Sequence, residues 1–288
     1  MANSPSHKLG ELIGDFFEFS IVNYLGPIVK SKGYYFDYRH PRPARGNQRE
    51  VIGIDSQGNK HKLDIVVEKG GSETHFGVYK AYIEIAWRRY KKHSKNKVQE
   101  IAGAILPLVR TNAREIPFYA AVLAGEFTEN SITQLKSQGF FVLYFTYEEI
   151  CRLFDTVGIS IRWEENTSAE DLQTIIDDFN VSLSNETDLR NLQKSFITMY
   201  KRQLISLSDA LCKALETVIS EVVVIPIHGA TQILNSISDA VSFIMKYDED
   251  TKSPILRYEI TVKYSNSEEY TMKCSDKHKA IQFLNQYT

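Results

Sequence analysis

His61-Lys62-Leu63-Asp64-Ile65-Val66-Val67 and Ala81-Tyr82-Ile83-Glu84-Ile85-Ala86-Trp87 are two strand-length runs, each with one carboxylate among apolar residues. Between them Lys69-Gly70-Gly71-Ser72-Glu73 is rich in turn residues, so the runs read as neighbouring strands. Carboxylates are rarely buried unless they are paired or bound to a metal. Two of them on adjacent buried strands can share a divalent cation. Directly afterwards comes Arg88-Arg89-Tyr90-Lys91-Lys92-His93-Ser94-Lys95-Asn96-Lys97, with six Lys and Arg and no acid. A segment of that kind can hold a phosphate backbone. The combination predicts metal-dependent hydrolysis of a phosphodiester.

Outward from these strands, apolar periodicity sets the other elements. Leu9, Leu12, Ile13, Phe16, Ser20 and Tyr24 recur at helical spacing and predict a helix from Leu9 to Lys32, closed by Gly33. Tyr34 to Tyr38 reads as a strand, His40 to Asn47 as a Pro-rich loop, and Glu50–Asp55 with Lys60–Glu68 as a hairpin. A helix is predicted from Asn96 past Leu108, kinked or ended by Pro107. Strand Phe118–Gly125, helix Ser131–Gln138, strand Phe140–Phe145 and helix Tyr147–Thr156 follow. Thr146 and Glu149 form a capping box for the last of these. Such a β-α-β-α unit favours parallel strands.

Beyond residue 158 the pattern changes. Ser168–Phe179 and Leu189–Val218 read as helices, Val222–Ile227 as a buried strand and Thr231–Tyr247 as an amphipathic helix. Leu256–Lys263 and Glu269–Lys273 read as a hairpin, and Ser275 as the cap of a helix over Lys277–Gln286. The expected division is 1–158, a helical spacer at 159–220, and a small α/β module at 221–288. A chain of 288 residues suits more than one domain.

Composition narrows the function classes. Cys151, Cys212 and Cys274 are odd in number and widely spaced, which fits neither a zinc knuckle nor a disulfide framework. The first residues lack an apolar leader and no run of eighteen apolar residues exists, so a cytoplasmic protein without a membrane span is expected. Net charge is −2, but residues 1–150 carry +4 and residues 151–288 carry −6. Local patches, not the total, set phosphate affinity. No P-loop, nucleophile elbow or H-E-x-x-H motif is present.

The first 150 or so residues resemble the PD-(D/E)XK, or restriction-endonuclease-like, nuclease superfamily. The likeness rests on the order of elements, on Asp64 in the second strand of the expected meander and on Glu84 in the third. Phe16-Phe17-Glu18-Phe19-Ser20-Ile21-Val22 followed by Gly33-Tyr34 looks like the first-helix pattern of its Mrr-like branch, where a Glu lies near the metal; Glu18 holds that position here. The resemblance implies a restriction-endonuclease-like α/β core, α-β-β-β-α-β-α-β, a mixed sheet flanked by helices, with a C-terminal helical and small α/β appendage. It also implies Mg²⁺ as cofactor, bound by Asp64, Glu84 and the Ile85 carbonyl. The third motif position departs from the pattern, because Ala86 stands where the superfamily has Lys. Lys97, at the start of the next helix, and Lys62, two residues before Asp64, are the candidate replacements.

The expected reading is thus a Mg²⁺-dependent endodeoxyribonuclease of restriction type, acting on double-stranded DNA as a homodimer. Arg88, Arg89, Lys91, Lys92 and Lys95 are its candidate DNA contacts, with Arg39, Arg42, Arg45 and Arg49 on and around the Pro-rich loop as a second surface or groove arm. The alternatives are a catalytically impaired DNA-binding module and a subunit of a larger defence or repair complex. At residue level, Asp64 and Glu84 can instead be partners of Lys62 or Arg88, and the basic run a solvated face. Trp87 and Tyr90 can be core residues or bases' stacking partners, and His93 a surface residue or a water-positioning one.

Overall fold

The computed structural model describes residues 4–184, 186–226, 230–249 and 257–288. The chain divides into two compact units, Met1–Leu215 and Glu216–Thr288.

The first unit opens with α1 (Pro5–Ser31), whose N-cap Ser4 accepts a hydrogen bond from the His7 amide at 3.4 Å, with Pro at the first helical position. Gly33, at φ +81°, takes the left-handed conformation that lets the chain leave the helix. Next come β1 (Tyr35–Tyr38), β2 (Val51–Ile54), β3 (Lys60–Leu63), β4 (Ile65–Lys69) and β5 (Val78–Arg88). They are followed by α2 (Ser94–Thr111), β6 (Phe118–Gly125), α3 (Glu129–Ser137), β7 (Phe141–Thr146) and α4 (Tyr147–Asp155). Three helices close the unit: α5 (Ala169–Ser184), α6 (Glu186–Met199) and α7 (Lys201–Leu215).

A five-stranded mixed sheet runs in the order β1-β4-β5-β6-β7. β1, β4 and β5 are antiparallel; β5, β6 and β7 are parallel. Because strand side chains alternate between faces, odd positions such as Ile65, Ala81 and Ile83 pack with Leu9, Ile13 and Phe17 of α1. Even positions such as Val66, Tyr82 and Ala86 pack with Val98, Ile101 and Ile105 of α2. The strand expected over Lys60–Glu68 is two strands. It breaks at Asp64, so β3 pairs with β2 in a separate hairpin while β4 enters the main sheet.

Other expectations change too. Pro107 does not end α2, which continues to Thr111. The single helix expected over Leu189–Val218 is two, with Tyr200 between them and a strand starting at Ile219. The expected boundary at residue 158 is not a break in packing. Leu172, Ile176 and Phe179 of α5 and Leu192 and Phe196 of α6 share the core of α1 and the sheet, with Phe196 against Phe16, Phe17 and Phe145. Residues 159–215 are therefore part of the first unit and not a spacer. Among the described helices α1 is long and apolar enough to cross a membrane, a property the absence of an unbroken apolar run concealed; nine of its residues are buried in this core.

The second unit holds β8 (Ile219–Pro226), β9 (Gln232–Leu234), α8 (Ile237–Lys246), β10 (Tyr258–Tyr264), β11 (Glu269–Cys274) and α9 (Lys277–Leu284). Its sheet is antiparallel in the order β11-β10-β8-β9, with Val222, Val224, Ile260, Ala240, Ile244 and Leu284 buried. The helix expected from Thr231 begins only at Ile237, because Gln232–Leu234 pair with Val222–Val224 as an edge strand. Asp276, not Ser275, caps α9, its carboxylate accepting from the Lys279 amide at 2.7 Å. Ile227 and Leu256, the ends of two expected strands, lie outside the described residues.

Candidate active site

The break at Asp64 creates the site. Ile65 pairs with Ile83, so the same register sets Asp64 opposite Glu84, both on the even, α2-facing side. The Asp64 amide donates to Glu84 Oε1 at 3.3 Å, and the Ile85 amide donates to Asp64 Oδ2 at 2.7 Å. Among the described residues Asp64 Oδ1 and Glu84 Oε2 accept no hydrogen bond, so each carboxylate keeps one oxygen uncommitted.

Burial pushes the Glu84 carboxyl well above the usual range, and the Asp64 charge pushes it further. The Asp64 carboxyl is also raised by burial, against opposing pulls from the Ile85 N–H and from Lys97, Lys62 and Arg39. Glu18 of α1 is raised by burial and then by Asp64, so the three carboxylates form one electrostatic group. The superfamily resemblance implies a Mg²⁺ ion here. Hard oxygen donors, two of them free and mutually repelling, suit such an ion, which keeps several of its own waters. Among the described residues no three His, Cys, Asp or Glu side chains stand close enough to chelate a metal, so any site is built on the pair.

A carboxylate whose folded pKa is raised binds its proton more tightly folded than unfolded. Stability therefore falls as pH rises through the window from the ordinary Glu value, 4.5, to the raised value, and the cost persists above it. Glu84→Gln is expected to raise the melting temperature of the metal-free protein at pH 7 by about 2–4 °C for each kcal/mol relieved. Mg²⁺ should stabilise the natural chain and not the variant. Thermal melts with and without Mg²⁺ check both, and a Glu84→Gln variant less stable than the natural chain would remove the repulsion argument.

Lys97 approaches from the first turns of α2. Its side chain is only 16% exposed, its charge lowers both Asp64 and Glu84, and its Nζ pairs with Glu100 Oε1 at 2.9 Å. Lys62 is placed differently from the expectation of a bond to Asp64. It lies in the β2–β3 hairpin, is exposed, and pairs with Glu50 at 2.6 Å.

The expected DNA surface is only partly basic. Arg42 is fully buried and bonds to Asp37 and Glu68 at 2.6 and 2.8 Å. Arg45, 6% exposed, bonds to Asp37 and to the His40 carbonyl. Neither faces solvent, so neither is a DNA contact: the Pro-rich loop folds its arginines inward to neutralise two buried acids. Arg89 also turns in, lying 3.9 Å over the Tyr147 ring and donating to the Trp163 carbonyl at 3.0 Å. Acids from elsewhere in the sequence meet the rest of the run: Glu126 pairs with Lys91, Glu165 with Lys92, and Glu100 with Arg88 at 3.8 Å. Lys91, Lys92 and Lys95 remain exposed.

A cleft of about 710 Å³ is lined in part by Glu18, Ile85, Arg88, His93 and Lys97; Asp64 and Glu84 do not line it themselves but adjoin it through Ile85, whose amide donates to Asp64. Sequence reasoning missed Gly10, Gly14 and Trp163 as contributors to the cleft. Arg39 bridges Asp15 at 3.0 Å and Glu18 at 3.6 Å. Gly10 and Gly14 of α1, which pack on Trp87, and Trp163 line it as well. The i, i+4 glycines inside an otherwise apolar helix were the visible signal, since glycine weakens a helix.

No protein-family model and no curated protein matches this chain. A crystal structure titled "Protein of Unknown Function AF1548" aligns with 70% of this chain and 98% of its own at 12% identity and a TM-score of 0.31, too low to carry an argument.

Proposed function

We propose that the chain is a Mg²⁺-dependent endodeoxyribonuclease of restriction type, with a restriction-endonuclease-like core in its first unit. The observation that carries this reading is the pair Asp64–Glu84: a half-buried and a buried carboxylate, face to face, each with a free oxygen, in an arrangement that costs stability unless a cation is bound. Asp64, Glu84 and the Ile85 carbonyl would hold Mg²⁺. The bound ion supplies Lewis acidity and a more acidic water. Lys97 stabilises the charge that builds on the phosphate. Arg88, at the mouth of the cleft, and the exposed Lys91, Lys92 and Lys95 hold the DNA backbone. Cutting both strands calls for two such sites, hence a homodimer, with dimerisation or target recognition assigned to the second unit.

Incubation of supercoiled plasmid with and without Mg²⁺ tests the proposal: nicked or linear product only with the metal supports it. One observation favours a second reading, a DNA-binding module without catalysis. The Lys97 ammonium is committed to Glu100, and Ala86 leaves the usual lysine position empty. Plasmid binding without cleavage would select that reading.

Two further outcomes follow from the geometry. Lys97→Ala is expected to slow single-turnover cleavage about a hundredfold, the scale of one positioned acid–base or electrostatic group. Lys62→Ala should cost much less, because its ammonium is held by Glu50; a larger loss at Lys62 reverses the assignment. Joint replacement of Lys91, Lys92 and Lys95 by Ala should weaken DNA binding and reduce the slope of log K against log salt by about 2–3, near 0.9 per lost phosphate contact. An unchanged slope would place the DNA elsewhere.

A further inference from the structure

The cleft extends well past the carboxylates. From Glu18 and Lys97 it continues along α1, past Gly14 and Gly10, to His7. Gly10 and Gly14 are four residues apart and so lie on one helix face. A methyl group at Gly10 would sit 3.3 Å from Nε1 of Trp87, and one at Gly14 would sit 3.9 Å from Trp87 Cβ. Glycine at both positions lets α1 pack closely against Trp87, and all three residues line the cleft. Trp163 lines the same space, its ring centroid 6.1 Å from that of Trp87. Trp163 is 4% exposed, and its Nε1–H has no acceptor among the described residues. A buried donor without an acceptor is unfavourable, and a ligand carbonyl or ring nitrogen would satisfy it. The volume lies within the roughly 300–1,000 Å³ typical of sites that enclose a small ligand.

The charges lining the cleft are divided. Arg88, Arg89 and Lys97 come from the stretch between the end of β5 and the start of α2, while Glu11, Asp15 and Glu18 come from α1, where Arg39 bridges Asp15 and Glu18. A duplex carries phosphates on both strands, and one strand would meet the acidic helix. A single nucleotide avoids this. With its phosphate toward Arg88 and Lys97, its uncharged base lies toward the glycines and the tryptophans.

We propose that this cleft takes one unpaired deoxynucleotide, base against Trp87 and Trp163 beside Gly10 and Gly14, phosphate on the Arg88–Lys97 side next to Asp64 and Glu84. The substrate is then a strand end or a nucleotide turned out of the helix, for which unstacking is least costly when the base is already unpaired. The inference rests on the nuclease reading for the fate of the phosphate; the base pocket stands on the cleft alone.

The chain has two tryptophans and both line the cleft, so intrinsic fluorescence reports on it directly. The full chain is titrated, without divalent metal, with deoxyadenosine and deoxycytidine monophosphates. Deoxyribose 5-phosphate and inorganic phosphate serve as controls that lack a base. The expected result is saturable quenching, with the nucleotides binding about tenfold more tightly than deoxyribose 5-phosphate, the scale of one stacked base. Gly14→Leu fills the groove and abolishes that preference, while Gly14→Ala, whose methyl has room, keeps it. Equal affinity with and without the base, or a preference that survives in folded Gly14→Leu, overturns the pocket. The comparison on the natural chain decides the matter even if Gly14→Leu does not fold. Mg²⁺-dependent cleavage of supercoiled plasmid and of linear DNA with single-stranded ends separates the two readings: base preference with neither substrate cut keeps the pocket and removes the nuclease, and cleavage of either without base preference does the reverse.

Discussion

Asp64→Ala and Glu84→Ala are each expected to lower Mg²⁺-dependent cleavage by at least about three orders of magnitude, the several kcal/mol that a bound metal supplies to a phosphoryl transition state, while DNA binding persists. The two carboxylates face each other across the β4–β5 join, and each offers one uncommitted oxygen. Removing either leaves one carboxylate and the neutral Ile85 carbonyl, too little charge to hold Mg²⁺ against its hydration shell. The exposed lysines of the basic run are untouched, so affinity for the phosphate backbone remains. Both raised carboxyls must lose their protons to bind a cation, so cleavage should climb as pH rises through their raised range. Loss of ionisation should shift that profile, not merely scale it. Plasmid cleavage rates against pH, with filter binding alongside, measure both effects. Either variant cutting at the natural rate would remove this pair from the chemistry.

The pair itself was legible in the sequence because a charge inside an apolar strand stands out without any knowledge of partners. The same reasoning treated Lys60–Glu68 as one strand, since a break at Asp64 leaves no Gly or Pro to mark it. What breaks the strand is tertiary: Leu63 pairs with Val51 in one hairpin and Ile65 with Ile83 in the main sheet. That break is what turns the Asp64 carboxylate toward the Ile85 amide. The basic run shows the opposite limit. Six Lys and Arg without an acid read as a free patch, but Glu126, Glu164 and Glu165, more than thirty residues away in sequence, close on Lys91, Arg89 and Lys92. Ion pairing across such distances leaves no local pattern. Helices α5 to α7 were read correctly as helices and wrongly as a spacer. Their amphipathic faces say that they bury something, and only the packing of Phe196 between Phe17 and Phe145 says what.

Arg42→Ala is expected to destabilise the first unit by about 3–5 kcal/mol, the scale of breaking a buried ion pair from one side. Arg42 is the largest fully buried side chain. Burial pulls its guanidinium down, but bonds to Glu68 and Asp37 outweigh burial and the net shift is upward. Its Nη2 also donates to the carbonyls of Ser72 and His75 at 2.7 and 2.8 Å, so one side chain ties the Pro-rich loop to the β4–β5 connection. Without it Glu68 keeps, among the described residues, the Gly77 amide as its one hydrogen-bond partner, whereas Asp37 retains Arg45. The loss should therefore fall mainly on Glu68, and Arg42→Met combined with Glu68→Gln should recover part of it. Denaturant unfolding followed by tryptophan emission isolates the first unit, because Trp87 and Trp163 both lie there; a loss below about 1 kcal/mol would mean that water replaces the guanidinium at little cost. The effect should reach the candidate site as well. Arg39, directly before that loop, holds Asp15 and Glu18 at the wall of the cleft. An arginine that resembled a DNA contact in the sequence thus acts from inside, by fixing the loop that follows the cation set beside the acidic face of α1.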